Sequence, residues 1–156
     1  TGALFAAATD LAAYLSGVST EVRDAMRDFG MKLGTAYQIY DDCLDLVGSE
    51  EQFGKTLRTD LEKGKLTLPM LYLLEDAEDS QREILQKRII QQEELDLTVL
   101  AGIAEYEGAI ERSLQRASNL LDEGAHCLRV LEDSDYCSGL NGILEFLGGL
   151  LDSLQR

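Results

Sequence analysis

The sequence predicts an all-α protein, on three observations. Proline occurs once, at Pro69, so long helical stretches run unbroken. Apolar residues recur every three or four positions over most of the chain, the spacing that lines one face of a helix. No stretch of useful length alternates apolar and polar residues with the period of two that a half-buried strand shows. With 156 residues there is enough chain for one domain with its own core, and residues 1–156 read as a single helical domain.

The first helix is expected from about Gly2 to Leu15. Its small residues (Ala6, Ala7, Ala8, Ala12, Ala13) permit close packing, and Ser16-Gly17 closes it. A second helix starts after Ser19 or Thr20, with Glu21 and Asp24 in the first turns where the helix dipole favours acid. It runs to about Val47, with Val22, Ala25, Met26, Phe29, Leu33, Ala36, Tyr37 and Tyr40 forming a buried stripe. Gly48 to Lys65 reads as a loop. Thr67 caps a short helix from Leu68, and Pro69 sits in its first turn, where a missing N–H costs little. Met70 to Leu74 is apolar nearly all round and is expected to be buried. A polar helix follows from Ser80 to Ile90, with a connection over Gln91 to Glu94. Leu95 to Leu131 reads as one long helical pattern, kinked near Gly102, Gly108 or Gly124. The last helix is placed from about Ser138 to Leu154.

Composition narrows the function classes. Apolar residues make up 45% and charged residues 28%, which is ordinary for a globular chain. The net charge of −15 disfavours nucleic acid as a partner, because phosphates are repelled. Cys43, Cys127 and Cys137 fit neither a zinc site nor a disulfide framework, so free thiols in a reducing cytosol are expected. His126 adjoins Cys127, but side chains at i and i+1 diverge on a helix and make a poor nucleophilic pair. There is no apolar run of membrane-spanning length and no visible signal peptide. The chain opens at Thr1, without Met and directly on a helical pattern, as a fragment would.

The chemistry concentrates in Gln38-Ile39-Tyr40-Asp41-Asp42-Cys43-Leu44-Asp45. Asp41 and Asp45 stack one turn apart on a helix. Like charges at that spacing cost roughly 0.2–0.5 kcal/mol. They also lie near the helix C-terminus, where the dipole disfavours negative charge. A cation would relieve both penalties. An all-oxygen donor set suits Mg²⁺, which takes one or two carboxylates, waters and substrate phosphate oxygens; zinc lacks its His or Cys cluster. A solvated acidic helix end remains the plain alternative. The following run, Gly54 to Lys65, holds Lys55, Arg58, Lys63 and Lys65 against Asp60 and Glu62, a local excess of positive charge in an acidic chain. Carboxylates with a metal on one side and lysines on the other make a sensible diphosphate site. Surface pairing of Lys55 and Lys65 with Glu51, Asp60 or Glu62 is the competing account.

Together these residues resemble a known family. Gln38, then Asp41-Asp42-x-x-Asp45, then Gly54-Lys55, then Asp60-Leu61, then Gly64-Lys65-x-Thr67-Leu68-Pro69, is similar to the C-terminal signature of trans-isoprenyl (polyprenyl) diphosphate synthases. The opening Thr1-Gly2-Ala3-Leu4 resembles that family's Lys-Thr-Gly-Ala helix. The likeness is strong from Thr1 to Leu71 and is general helical character beyond. It implies the C-terminal part of the all-α isoprenoid synthase fold, with helices around a central cavity. It implies condensation of isopentenyl diphosphate with an allylic diphosphate, Mg²⁺ drawing off the allylic diphosphate. It casts Asp41, Asp42 and Asp45 as metal ligands and Thr1, Gln38, Lys55 and Lys65 as diphosphate contacts, with Asp41 and Lys55 closest to the chemistry. Asp60 supports the loop or the metal's water shell. Tyr37 stands where Phe is usual, and Arg58 where Gly is usual.

The first aspartate motif, its arginine pair and the isopentenyl-binding set belong to the N-terminal half of that fold and do not occur in these residues. The 156 residues alone are therefore expected to be inactive. An exposed apolar face is expected where the other half, or a second copy in a homodimer, would pack. A non-catalytic helical subunit is the main alternative. A terpene cyclase is a weaker rival, since the run after the aspartates fits chain-elongating enzymes better. Tyr14, Tyr72 and Tyr106 are read as core packing rather than pocket lining.

Overall fold

The computed structural model of the protein describes residues 1–48, 60, 63–91, 93, 95 and 97–154. Among these it is all-α: α1 (Gly2–Leu15), α2 (Thr20–Val47), α3 (Leu68–Asp76), α4 (Asp79–Gln91), α5 (Leu97–Ile103), α6 (Glu107–Cys127), a 3₁₀ turn (Leu128–Val130) and α7 (Asp135–Leu154). Two compact units share the chain. One comprises residues 1–40 and 116–156, the other residues 41–115.

In the first unit, α1 crosses α2 at very short range, and the sequence shows why. Gly30 and Gly34 lie one turn apart on α2. A Cβ at Gly30 would stand 2.5 Å from the Phe5 carbonyl oxygen, and one at Gly34 would stand 2.8 Å from Phe5 Cβ and 2.9 Å from Gly2 Cα. Only glycine admits that approach of backbones. Around the crossing, Phe5 stacks on Tyr37 with ring centroids 6.2 Å apart. At the far end of α1, the Arg23 guanidinium donates to both Asp10 carboxylate oxygens, at 2.7 and 2.9 Å. This fork holds the Asp10 carboxyl below its usual range. Phe29, Leu33 and Ala36 of α2 are buried, as are Leu144, Leu147 and Leu151 of α7. Gly124 fits between Leu144 and Phe29, and α6 runs through it without a break. The outer side of α1 is uncovered: Leu4, Leu11 and Leu15 follow one another at helical spacing and are exposed. α7 likewise exposes Tyr136, Ile143 and Phe146 and carries no basic residue.

In the second unit, the end of α2 packs Cys43, Leu44 and Leu46 into a core with Met70, Leu73, Leu85, Leu100 and Leu114. Pro69 occupies the first turn of α3, where no intrahelical donor is lost. The C-terminal end of α3 is closed by Arg82 of α4. Its guanidinium donates to the carbonyls of Leu74 (2.7 Å), Glu75 (3.2 Å) and Ala77 (2.6 Å), acceptors that a helix end otherwise leaves unpaired.

Several expectations change. Tyr37, placed in the buried stripe of α2, is 43% exposed. The 95–131 stretch is not one kinked helix: it stops at Ile103 and restarts at Glu107, so the break falls between Gly102 and Gly108. Ala104 is buried in that gap, and the apolar spacing runs through it, which hid the break. α7 starts three residues earlier than expected, because Ser134 accepts the Cys137 N–H at 3.1 Å and caps it. In α3, Met70 and Leu73 are buried but Leu71 is 46% exposed. Tyr14 is not core: it is exposed, with the Arg23 guanidinium 5.0 Å from its ring centroid. Tyr72 is partly exposed, beneath Arg112 at 4.0 Å.

Candidate active site

The candidate residues fall into two groups, one in each unit. In the first unit, Thr1 stands at the N-terminal end of α1 and Gln38 on α2, and the α1–α2 crossing brings them together: the Thr1 hydroxyl donates to Gln38 Oε1. They are 37 residues apart in sequence, and nothing in spacing alone pairs them. Thr1 is exposed and Gln38 half-buried, so the pair is open to a ligand from solvent.

In the second unit, α2 presents Asp41, Asp42 and Asp45. Asp42 and Asp45 are buried and Asp41 is half-buried. Asp45 is fixed by backbone: its Oδ2 accepts the Asp60 N–H at 2.9 Å. Asp60 also ties down Lys65. The Asp60 carbonyl accepts the Lys65 N–H at 2.9 Å, and its carboxylate accepts Lys65 Nζ at 2.8 Å. Gly64, at φ +63, makes the turn that returns the chain over Asp60. Lys65 Nζ then lies 3.7 Å from Asp42 Oδ1. The Asp60 hydrogen bond, opposed by slight burial and helped by Asp42, raises the Lys65 ammonium pKa. Asp60 therefore holds an aspartate through its backbone and a lysine through its side chain. Sequence reasoning had no signal for the backbone half of that role.

Between Asp42 and Leu44 sits Cys43, fully buried. Burial pushes its thiol up to about 12, with the Asp42 charge adding to the rise and a hydrogen bond with Ser113 opposing it. Ser113 is itself fully buried and donates to the Ala109 carbonyl at 2.7 Å. Cys43 is thus an inert core thiol that seats the aspartate turn against α6. Lys55, the remaining candidate, lies outside the described residues, as do Gly54 and Arg58.

Among the described residues no group of three or more His, Cys, Asp or Glu side chains is arranged to hold a metal ion. Mg²⁺ does not require one. It binds through one or two carboxylates and completes its shell with water and substrate phosphates. The all-oxygen donors on this turn, with Asp45 held in place and Asp41 half-buried, fit that open mode. They do not fit zinc.

Residues 1–105 match the family model described as Polyprenyl synthetase. The chain belongs to the polyprenyl synthetase family. It is 34% identical over 146 residues to solanesyl-diphosphate synthase 2, chloroplastic, of Oryza sativa subsp. japonica, a match covering 94% of this chain and 36% of that one. A decaprenyl diphosphate synthase from Rhodobacter capsulatus has the same fold, with a TM-score of 0.84 and 26% identity, over 100% of this chain and 48% of that one. A polyprenyl synthase from Caulobacter crescentus, crystallised with calcium and isoprenyl diphosphate, superposes with a TM-score of 0.78 at 28% identity, covering 98% and 45% of the two chains. The chain therefore spans less than half the length of these relatives. No described helix of this polyprenyl synthetase chain is long and apolar enough to cross a membrane.

Proposed function

We propose that the protein condenses isopentenyl diphosphate with an allylic diphosphate in isoprenoid chain elongation, dependent on Mg²⁺. The observation that carries this reading is the Asp60–Lys65 turn laid against Asp42 and Asp45 in a chain of the polyprenyl synthetase family. A solvated acidic helix end has no need of a backbone donor on one buried carboxylate and a lysine beside another. The Caulobacter relative's calcium and isoprenyl diphosphate are the same pairing of divalent cation and substrate chemistry.

When bound, Mg²⁺ supplies charge that stabilises the departing diphosphate. Asp41, Asp42 and Asp45 are the residues that would hold it. The family signature assigns Thr1, Gln38 and Lys65 to the allylic diphosphate, Thr1 and Gln38 through hydroxyl and amide groups and Lys65 through its charge. Lys55 is assigned to the same diphosphate by its place in the family signature. The 156 residues by themselves do not turn over, because half of the metal clamp lies elsewhere in the family fold. Exposed Leu4, Leu11 and Leu15 on α1 support pairing with that half or with a second copy. A cytoplasmic location is the simplest setting for three free thiols.

The test replaces Asp41 and Asp45 with Ala in the whole protein and follows labelled isopentenyl diphosphate into product under Mg²⁺. Activity is expected to fall by about 10²-fold or more for each. Unchanged turnover would remove the catalytic reading and favour a non-catalytic helical subunit.

A further inference from the structure

The geometry points to Lys65 as a resident counter-ion of Asp42, one that must leave Asp42 before a metal ion is fully held, so that metal and diphosphate bind cooperatively. This rests on the reading of Asp41, Asp42 and Asp45 as metal ligands.

The main chain of Lys65 is fixed while its ammonium is not. Its N–H is bonded to the Asp60 carbonyl at 2.9 Å, across the turn made by Gly64. Its side chain is 53% exposed and reaches in from solvent, whereas the Asp42 side chain is only 11% exposed. Nζ is 2.8 Å from Asp60 and 3.7 Å from Asp42. The contact with the buried carboxylate is thus the longer and weaker of the two, and Asp60 retains the lysine when it moves.

A cation beside Asp42 and a metal ion beside the same carboxylate repel each other. In the absence of an anion, Lys65 pairs, among the described residues, with Asp60 and Asp42, and it opposes the metal. A diphosphate changes that balance: its oxygens accept from the ammonium and from the metal at once, so the lysine swings outward to the phosphate and Asp42 turns to the metal. The anion then raises the affinity for metal, and by linkage the metal raises the affinity for the anion by the same factor. Lys65 is the positioning residue for this exchange, a role distinct from simply touching the phosphate, because it acts before any phosphate is present.

The measurement is Mn²⁺ binding by electron paramagnetic resonance on the whole protein, at controlled free Mn²⁺, with and without inorganic pyrophosphate. Three proteins are compared: the natural one, Lys65→Gln, and Lys63→Gln, which removes the same charge from the exposed neighbour on the same turn. For Lys65→Gln, Mn²⁺ affinity without pyrophosphate is expected to rise roughly threefold to tenfold, and the further gain on adding pyrophosphate to shrink. Lys63→Gln is expected to change anion-free affinity by much less. A lysine that only contacts phosphate leaves anion-free affinity untouched. An unchanged value for Lys65→Gln, or equal rises in both variants, overturns the inference while leaving the metal site standing. If the natural protein binds no Mn²⁺ even with pyrophosphate, or binds it equally after Asp41→Ala, both the inference and the metal-site reading fall.

Discussion

The α1–α2 crossing in the first unit and the Asp60–Lys65 turn in the second each place candidate site residues, by opposite means. The crossing works by exclusion. Gly30 and Gly34 leave no room for a side chain, and backbone against backbone fixes where Thr1 meets Gln38. The turn works by attraction between charged and polar groups that keep solvent contact: Lys65 and Asp60 are partly exposed. Sterics give one arrangement, and half-exposed charges give several of nearly equal energy. For the proposed diphosphate chemistry, the second kind suits the residues assigned to a metal and the first kind those assigned to the substrate.

Substitutions sharpen that contrast. Gly30→Ala is expected to have the largest effect on stability, because its Cβ meets the Phe5 backbone, which cannot rotate away as a side chain does. A loss of about 1–3 kcal/mol follows from overpacking, read by chemical denaturation of the whole protein. A cost near zero would mean that the helices separate easily and the crossing is not sterically set. The next effect is alkaline. Cys43 has a folded pKa of about 12 against an ordinary 9.0. Above pH 9 the unfolded chain loses this proton while the folded chain keeps it. The Cys43 contribution is therefore complete below pH 9 and is lost as pH rises towards 12, by of the order of 1.4 kcal/mol per pH unit. Denaturation of the natural protein and Cys43→Ala, compared at pH 8 and pH 11, is expected to show the gap between them narrowing. A constant gap would mean that solvent reaches the thiol. The smallest effect belongs to Lys65→Gln, expected to shift stability by less than about 1 kcal/mol and less still in high salt. A larger loss would make the turn a structural clamp rather than a movable one.

How much of this was legible in sequence varied with the kind of force. The ends of α1 and α2 and the Pro69 start of α3 follow from apolar spacing and local turn chemistry, and the structure places them at the residues expected. The Asp41, Asp42 and Asp45 cluster stood out because it opposes the helix dipole. The break at residues 104–106 did not show, since Ala104 continues the apolar rhythm across it. The glycine-lined crossing carries little sequence signal for a related reason: alanines in α1 point to close packing, while Gly30 and Gly34 sit four apart inside a long helix, where glycine is a weak former. Interactions through the main chain, such as the Asp60 N–H on Asp45 and Arg82 on three carbonyls, carry no residue-type signature.

Arg82 has a consequence for the route to this structure. Its acceptors lie only three to eight residues away, at Asp79, Ala77, Glu75 and Leu74. Bringing such near neighbours together restricts little chain. Joining Thr1 to Gln38, or Arg112 to Asp76 and Glu75, closes 36 or 37 residues at greater entropic cost. The α3–α4 hairpin can therefore be assembled from local encounters and stand as a template, and the Thr1–Gln38 and Arg112 partnerships are the ones for which the chain must wait.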